Sequence, residues 1–255
     1  MSAETYSETY AEPSKPVRVI DVSAIQGGVR WGEVASAGIM GAVLKCTEGM
    51  RGTDRMFAIT AKAARDAGIA IGAYHFGKPA TDPGVSIEKD AQTEACRFFE
   101  LCDALGSAPG EIPPVLDIEV MDNMAPSVVA QWIRVWLDQA EQLFTRVPVI
   151  YTGLPMAQAL RLVPTATRYP LWIARYVQNM GAPAMTWEQA EAFGSPLKAK
   201  MMQPLPWAPC DLWKLWQFSG GGPGLPGNRV PGIDVEVDCN RFNGNENDWV
   251  SFLAA

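Results

Sequence analysis

The chain has 255 residues, 48% of them hydrophobic, which is enough for one sizeable buried core, and no linker-like stretch divides it. A net charge of −7, with 21 basic residues and no lysine/arginine cluster, argues against a nucleic-acid surface or an anionic membrane face. Five widely spaced cysteines (Cys46, Cys96, Cys102, Cys210, Cys239) and the single His75 suggest neither a disulfide framework nor a zinc site, and they make a Ser-His-Asp triad a poor reading.

In chain order, residues 1–16 are polar and acidic, with no basic segment leading into an apolar one, so they read as a disordered tail rather than a secretory signal. No apolar run reaches the ~18 residues of a membrane span. From Val17 onward short β-rich runs alternate with helical patterns, the signature of parallel βα units in one domain, residues 17–255. Eight strands are expected: Val17–Val22, Gly41–Cys46, Ile69–Phe76, Val115–Glu119, Val147–Thr152, Leu171–Tyr176, Leu215–Phe218 and Val235–Cys239. Helices are expected over Trp31–Ala37, Asp54–Ala67 ending at Gly68, Ser86–Leu105 ending at Gly106, and Ser127–Phe144 with Ser127 as cap. Residues 177–211 are rich in Pro, Met and Trp, and Gly220–Pro231 is a Gly/Pro loop that cannot be helical. The fold class is therefore α/β, a modified TIM-like barrel of five βα units followed by three strands with little helix.

In such a barrel the ligand site lies at the carboxyl ends of the strands. The fourth strand ends there in Leu116-Asp117-Ile118-Glu119, two carboxylates two residues apart, which on a strand share one face. Placing like charges at the end of a buried strand is costly, and a carboxyl pair is what glycosidic bond cleavage uses. The bland alternative is a strand end pointing two solvated acids outward. The other strands bring Asp21, Lys45 with Glu48, Tyr74 with His75, Tyr151, Trp172 with Tyr176, Trp216 with Gln217, and Asp238 with Asn240 to the same rim. Sugars stack their apolar faces on aromatic rings, so Tyr74, Tyr151, Trp172, Tyr176 and Trp216 are candidate substrate contacts, although Trp172 and Trp216 could equally pack the barrel. Lys45 and Glu48 join them, Lys45 as an ion-pair partner of nearby acids or as a contact to substrate carboxylates. His75 reads as a hydrogen-bonded structural residue. With no metal-ligand cluster and no phosphate-cradling glycine loop, neither cofactor nor metal is expected.

These residues resemble glycoside hydrolase family 25, the lysozyme family of N-acetylmuramidases. The similarity is carried by Ile20-Asp21-Val22-Ser23, Lys45-Cys46-Thr47-Glu48-Gly49, Gly72-Ala73-Tyr74-His75-Phe76, Leu116-Asp117-Ile118-Glu119, Val149-Ile150-Tyr151-Thr152-Gly153, Leu171-Trp172-Ile173-Ala174, Leu215-Trp216-Gln217-Phe218 and Val237-Asp238-Cys239-Asn240-Arg241-Phe242, in family order. Cys46, Phe218 and Cys239 depart from the usual Ala, Tyr and aliphatic residue. The resemblance implies Glu119 as proton donor, Asp117 as its partner, and Asp21 and Asp238 as further acids of the site, with Asp234 as the competing choice for the last. It also implies peptidoglycan as substrate, cut at the β-1,4 bond between N-acetylmuramic acid and N-acetylglucosamine. Like-charge repulsion from Asp117, Asp21 and Asp238 is expected to raise the pKa of Glu119. The substrate's 2-acetamido oxygen would then attack the anomeric carbon while Asp117 orients the acetamide. Direct attack by Asp117 and water activated across the rim are the competing routes. A chitinase-like hydrolase and a catalytically silent peptidoglycan-binding barrel are the rival functions. The enzyme is expected to act as a monomer, made in the cytoplasm without a signal peptide and released by lysis or another non-signal route to the wall, as a phage endolysin would be. Met201-Met202 and Trp207 in the 177–211 segment read as a packing loop or as part of the groove.

Overall fold

The computed structural model describes residues 16–79, 84–104, 111–176, 183–194, 196, 213–220 and 228–255. All eight expected strands form. They are β1 (Arg18–Val22), β2 (Ile39–Glu48), β4 (Ala70–Phe76), β5 (Val115–Asp117), β6 (Val149–Gly153), β7 (Leu171–Ala174), β8 (Trp213–Ser219) and β9 (Asp238–Phe242), with a two-residue β3 (Gly52–Thr53) folded back on β2. The order β1-β9-β8-β7-β6-β5-β4-β2 closes through β1–β2 into a barrel. The last strand differs from expectation in position and direction: it begins at Asp238 rather than Val235, and it runs antiparallel to both β1 and β8. A parallel return needs a crossover of a dozen residues or more, usually a helix, whereas an antiparallel neighbour does not. The Gly/Pro composition of 220–231 already rules out that helix, and Val237 is held in a bridge to Asn228 before the strand starts.

Strand alternation divides the core into two layers. Val19, Val43, Val115, Val149, Tyr151, Trp172, Leu215 and Phe242 fill the barrel, while Ile20, Leu44, Leu116, Ile150, Ile173, Trp216 and Phe218 face the surrounding helices. The barrel floor is sealed by a C-terminal helix, α8 (Glu246–Ala254), which buries Trp249 and Phe252 beside Phe242. Asn245 caps it reciprocally with Asp248, and a β-carbon on Gly41 would stand 2.8 Å from the Trp249 ring, so a side chain there would have to displace the plug.

The expected helices appear as α1 (Trp31–Ser36), α2 (Phe57–Asp66), α3 (Ile87–Ala104) and α4 (Pro126–Phe144). Gly68 takes a φ of +80° just after α2, as its role as a stop requires. Two starts differ from expectation. Asp54 lies ahead of α2 and accepts the backbone N–H groups of Met56 and Ala24, and Pro126, not Ser127, opens α4, because proline's fixed φ suits the first helical position where no N–H is needed. After β6, α5 (Leu154–Ala159) and α6 (Val163–Ala166) are short. Within the 177–211 stretch a two-turn helix, α7 (Trp187–Phe193), starts from a Thr186/Gln189 capping box. Met201, Met202, Trp207, Cys210, Gly106 and the tail up to Lys15 lie outside the described residues. Cys46 on β2 and Cys102 on α3 meet in the core with their sulfurs 3.8 Å apart, a proximity that 56 residues of separation conceal in the sequence.

Candidate active site

One cavity at the strand ends is lined by Asp21, Tyr74, Asp117, Glu119, Tyr151, Trp172, Tyr176, Gln217 and Asp238. Each reaches it by the same alternation that builds the core. On β5, Val115 fills the barrel and Asp117, two residues on, stands above it; Ile118 turns to the outer layer and Glu119 returns to the cavity. On β6 and β7 the inward positions are Tyr151 and Trp172. Because β9 runs antiparallel, Asp238 is its first residue yet sits at the same rim, directly paired with Asp21. All four expected acids therefore converge. Asp234, the alternative, lies on the surface in an ion pair of 3.0 Å with Arg30.

Trp216 is placed elsewhere. Leu215 and Gln217 face inward, so Trp216 must face out, where it packs against Phe193 and Phe218 and donates its indole N–H to the Arg175 carbonyl at 2.9 Å. Gln217 takes the cavity position instead, and strict alternation along Leu215-Trp216-Gln217 was the signal that separates the two. Lys45 and Glu48 are not among the lining residues. Glu48 accepts both Lys45 and Lys78 at 2.6 Å, with Lys45 over the Phe76 ring, and these two lysines hold the Glu48 carboxyl below its ordinary range. His75 lies behind the strand wall, fully buried, with Nδ1 2.8 Å from the Thr47 hydroxyl and Nε2 2.7 Å from Glu94. Burial pushes its pKa down to about 3, so at neutral pH it is an uncharged hydrogen-bonding group.

A chain of polar contacts ties the cavity floor together. The Trp172 indole donates to Asn240 Oδ1 at 2.6 Å, and Asn240 Nδ2 donates to Asp21 Oδ2 at 2.7 Å. Gln217 Nε2 donates to the same oxygen at 3.0 Å and accepts the hydroxyls of Tyr151 and Tyr176 on Oε1, at 2.9 and 2.5 Å. Asp21 is raised well above its ordinary pKa by burial and by Asp238, against the two amide donors. Asp117, 5% exposed, is raised well above by burial first, then by Glu119 and Asp21. Glu119 is also raised, but the cause is not the one expected: burial is responsible, while its hydrogen bond with Asp117 and the charge of Lys45 act the other way. Two carboxyls in hydrogen-bonding contact share one proton, and the contact acts on them in opposite directions, raising Asp117 and lowering Glu119. Asp117 Oδ1 is buried and receives no hydrogen bond from the described residues.

The closed barrel that carries these acids matches proteins of known family and fold. The family model "Glycosyl hydrolases family 25" matches residues 20–223. The chain belongs to that family. It is a glycoside hydrolase of the lysozyme type. The enzyme is 29% identical to Lysozyme M1 of Streptomyces globisporus over 237 residues, 90% of this chain and 68% of that one. Among solved structures, the bacterial lysozyme of Streptomyces coelicolor superposes with a TM-score of 0.66 at 26% identity, covering 94% of this chain and 98% of the other. The catalytic domain of an endolysin from bacteriophage P40 of Listeria monocytogenes shares the fold, with a TM-score of 0.67 at 20% identity over 94% of this chain and 97% of that one.

Proposed function

We propose that the enzyme hydrolyses the β-1,4 bond between N-acetylmuramic acid and N-acetylglucosamine in peptidoglycan, with Glu119 as general acid and Asp117 as the group that orients the substrate's acetamide. The observation that carries this reading is a buried carboxylate oxygen, Asp117 Oδ1, with no donor among the described residues, beside a Glu119 whose pKa burial raises. A buried acceptor without a donor is costly, and an acetamide N–H would supply the missing hydrogen bond. The likeness to lysozymes, and the aromatic walls formed by Tyr74, Tyr151, Trp172 and Tyr176, support a sugar polymer as ligand.

The shared proton gives the sequence of events. In the free enzyme burial favours Asp117 as its holder. An acetamide N–H donated to Asp117 favours the ionised form of that group and passes the proton to Glu119. Glu119 then protonates the glycosidic oxygen as the acetamide oxygen attacks the anomeric carbon and the C–O bond to the leaving sugar breaks. Water opening the resulting oxazolinium returns its proton to Glu119, and two inversions give net retention. Glu119→Gln keeps the side-chain shape but has no transferable proton, so muropeptide release, followed by mass spectrometry of digested peptidoglycan, should fall by at least ~10²-fold. Near wild-type turnover would remove Glu119 as the acid, and an inverted anomer by NMR would remove the acetamide route.

A further inference from the structure

We propose that Gln217 and Asn240 are positioning residues that pin Asp21 Oδ2 as an obligate acceptor, so that Oδ1 is the one oxygen of Asp21 able to hold a proton or meet the substrate. The inference rests on the peptidoglycan reading above and specifies how one acid of that site is prepared.

The orientation of the whole network follows from one group that can only donate. An indole N–H has no acceptor function, so Asn240 must turn its Oδ1 toward Trp172, at 2.6 Å, and its amino group toward Asp21, at 2.7 Å. A proton on Asp21 Oδ2 would collide with that amino group, which fixes Oδ2 as an acceptor. Gln217 must then present its own amino group to Oδ2, at 3.0 Å, because a carbonyl there would face an acceptor, and its Oε1 is left to receive the two tyrosine hydroxyls. Five side chains on four strands and the segment after β7 are thus set by a single donor-only ring. Oδ1 receives no hydrogen bond from the described residues, and Asp21 lines the cavity. The titratable groups facing Asp21 are Asp238 from β9, Asp117 and Glu119 from the end of β5, Tyr74 from β4, Tyr151 from β6 and Tyr176 after β7, while Cys239 lies behind it on the outer face of β9. Burial, then the charges of Asp238 and Glu119, disfavour an ionised Asp21. The two amides are the groups that oppose them.

The test reads Asp21 directly. The carboxyl ¹³C resonance of Asp21, assigned by its loss in Asp21→Asn, is titrated in the full-length enzyme without sugar, and kcat and KM for peptidoglycan are measured across pH. In Asn240→Leu the carboxylate loses a donor, so Asp21 should titrate about one unit or more higher than in the wild type. The acidic limb of kcat should move up with it, and kcat should drop at least ~10-fold with KM within about threefold. Trp172→Phe retains the ring packing and every direct contact of Asp21 but frees Asn240 to turn over; it should shift Asp21 in the same direction by less, and it carries the test if Asn240→Leu does not fold. An Asp21 titration unchanged in whichever of these folds, or an effect confined to KM, overturns the proposal. A wild type that releases no muropeptides while these resonance shifts occur refutes the peptidoglycan reading and leaves the positioning of Asp21 standing.

Discussion

Glu94 on α3 offers a quantitative check of the electrostatics behind the strand wall. Its side chain is 1% exposed, and Oε2 accepts the Lys78 backbone N–H at 3.2 Å and lies 2.7 Å from His75 Nε2. With His75 uncharged, Nε2–H donates to Oε2 and Nδ1 accepts from Thr47. Burial lifts the Glu94 carboxyl from 4.5 to about 9, so the folded enzyme holds this proton at neutral pH. The unfolded chain releases it near 4.5, and a raised folded pKa means stability that is fully present below 4.5 and lost as pH climbs toward about 9. The slope is about 1.4 kcal/mol per pH unit, so by pH 7 the loss is about 3 kcal/mol. That figure depends only on the folded pKa lying above 7, not on its value. Glu94→Gln keeps a carbonyl oxygen for both donors and has nothing to titrate. Urea melts of the two proteins at pH 5, 6, 7 and 8 should show Glu94→Gln gaining on the wild type by about 1.4 kcal/mol per unit, reaching about 3 kcal/mol at pH 7. His75, depressed from 6.5, loses stability in the opposite direction as pH falls, but both proteins share it and it cancels in the difference. A gap that stays flat, or that moves against Glu94→Gln, would show that the folded Glu94–His75 pair has already released its proton and refute a Glu94 carboxyl protonated at neutral pH.

Trp216→Phe should lower stability by about 1–3 kcal/mol, through lost packing against Phe193 and Phe218 and an unpaired Arg175 carbonyl, with KM for peptidoglycan unchanged. A raised KM at unchanged melting temperature would return it to the sugar site. Asp234→Ala removes an exposed pair with Arg30 and should leave muropeptide release at wild-type level, whereas Asp238→Asn should impair it severely; the reverse outcome in the same assay would exchange the two acids.

The sequence by itself determined the barrel strands and the convergence of the acids, because both follow from local rules. Alternation puts Asp117 and Glu119 on one face whatever surrounds them, and the Gly/Pro run at 220–231 excludes a crossover helix before any coordinate is known. The same alternation along Leu215-Trp216-Gln217 turns Gln217 inward and Trp216 outward. What only the tertiary structure decided are properties set by contacts between distant segments. The Cys46–Cys102 approach, the Glu94 carboxyl against His75, and the chain from Trp172 through Asn240 to Asp21 join residues 19 to 219 positions apart. The raised pKa values of Asp117 and Glu119 belong here too: the spacing of two acids says that they interact, but burial, the first cause of both shifts, is a property of the closed barrel rather than of the strand.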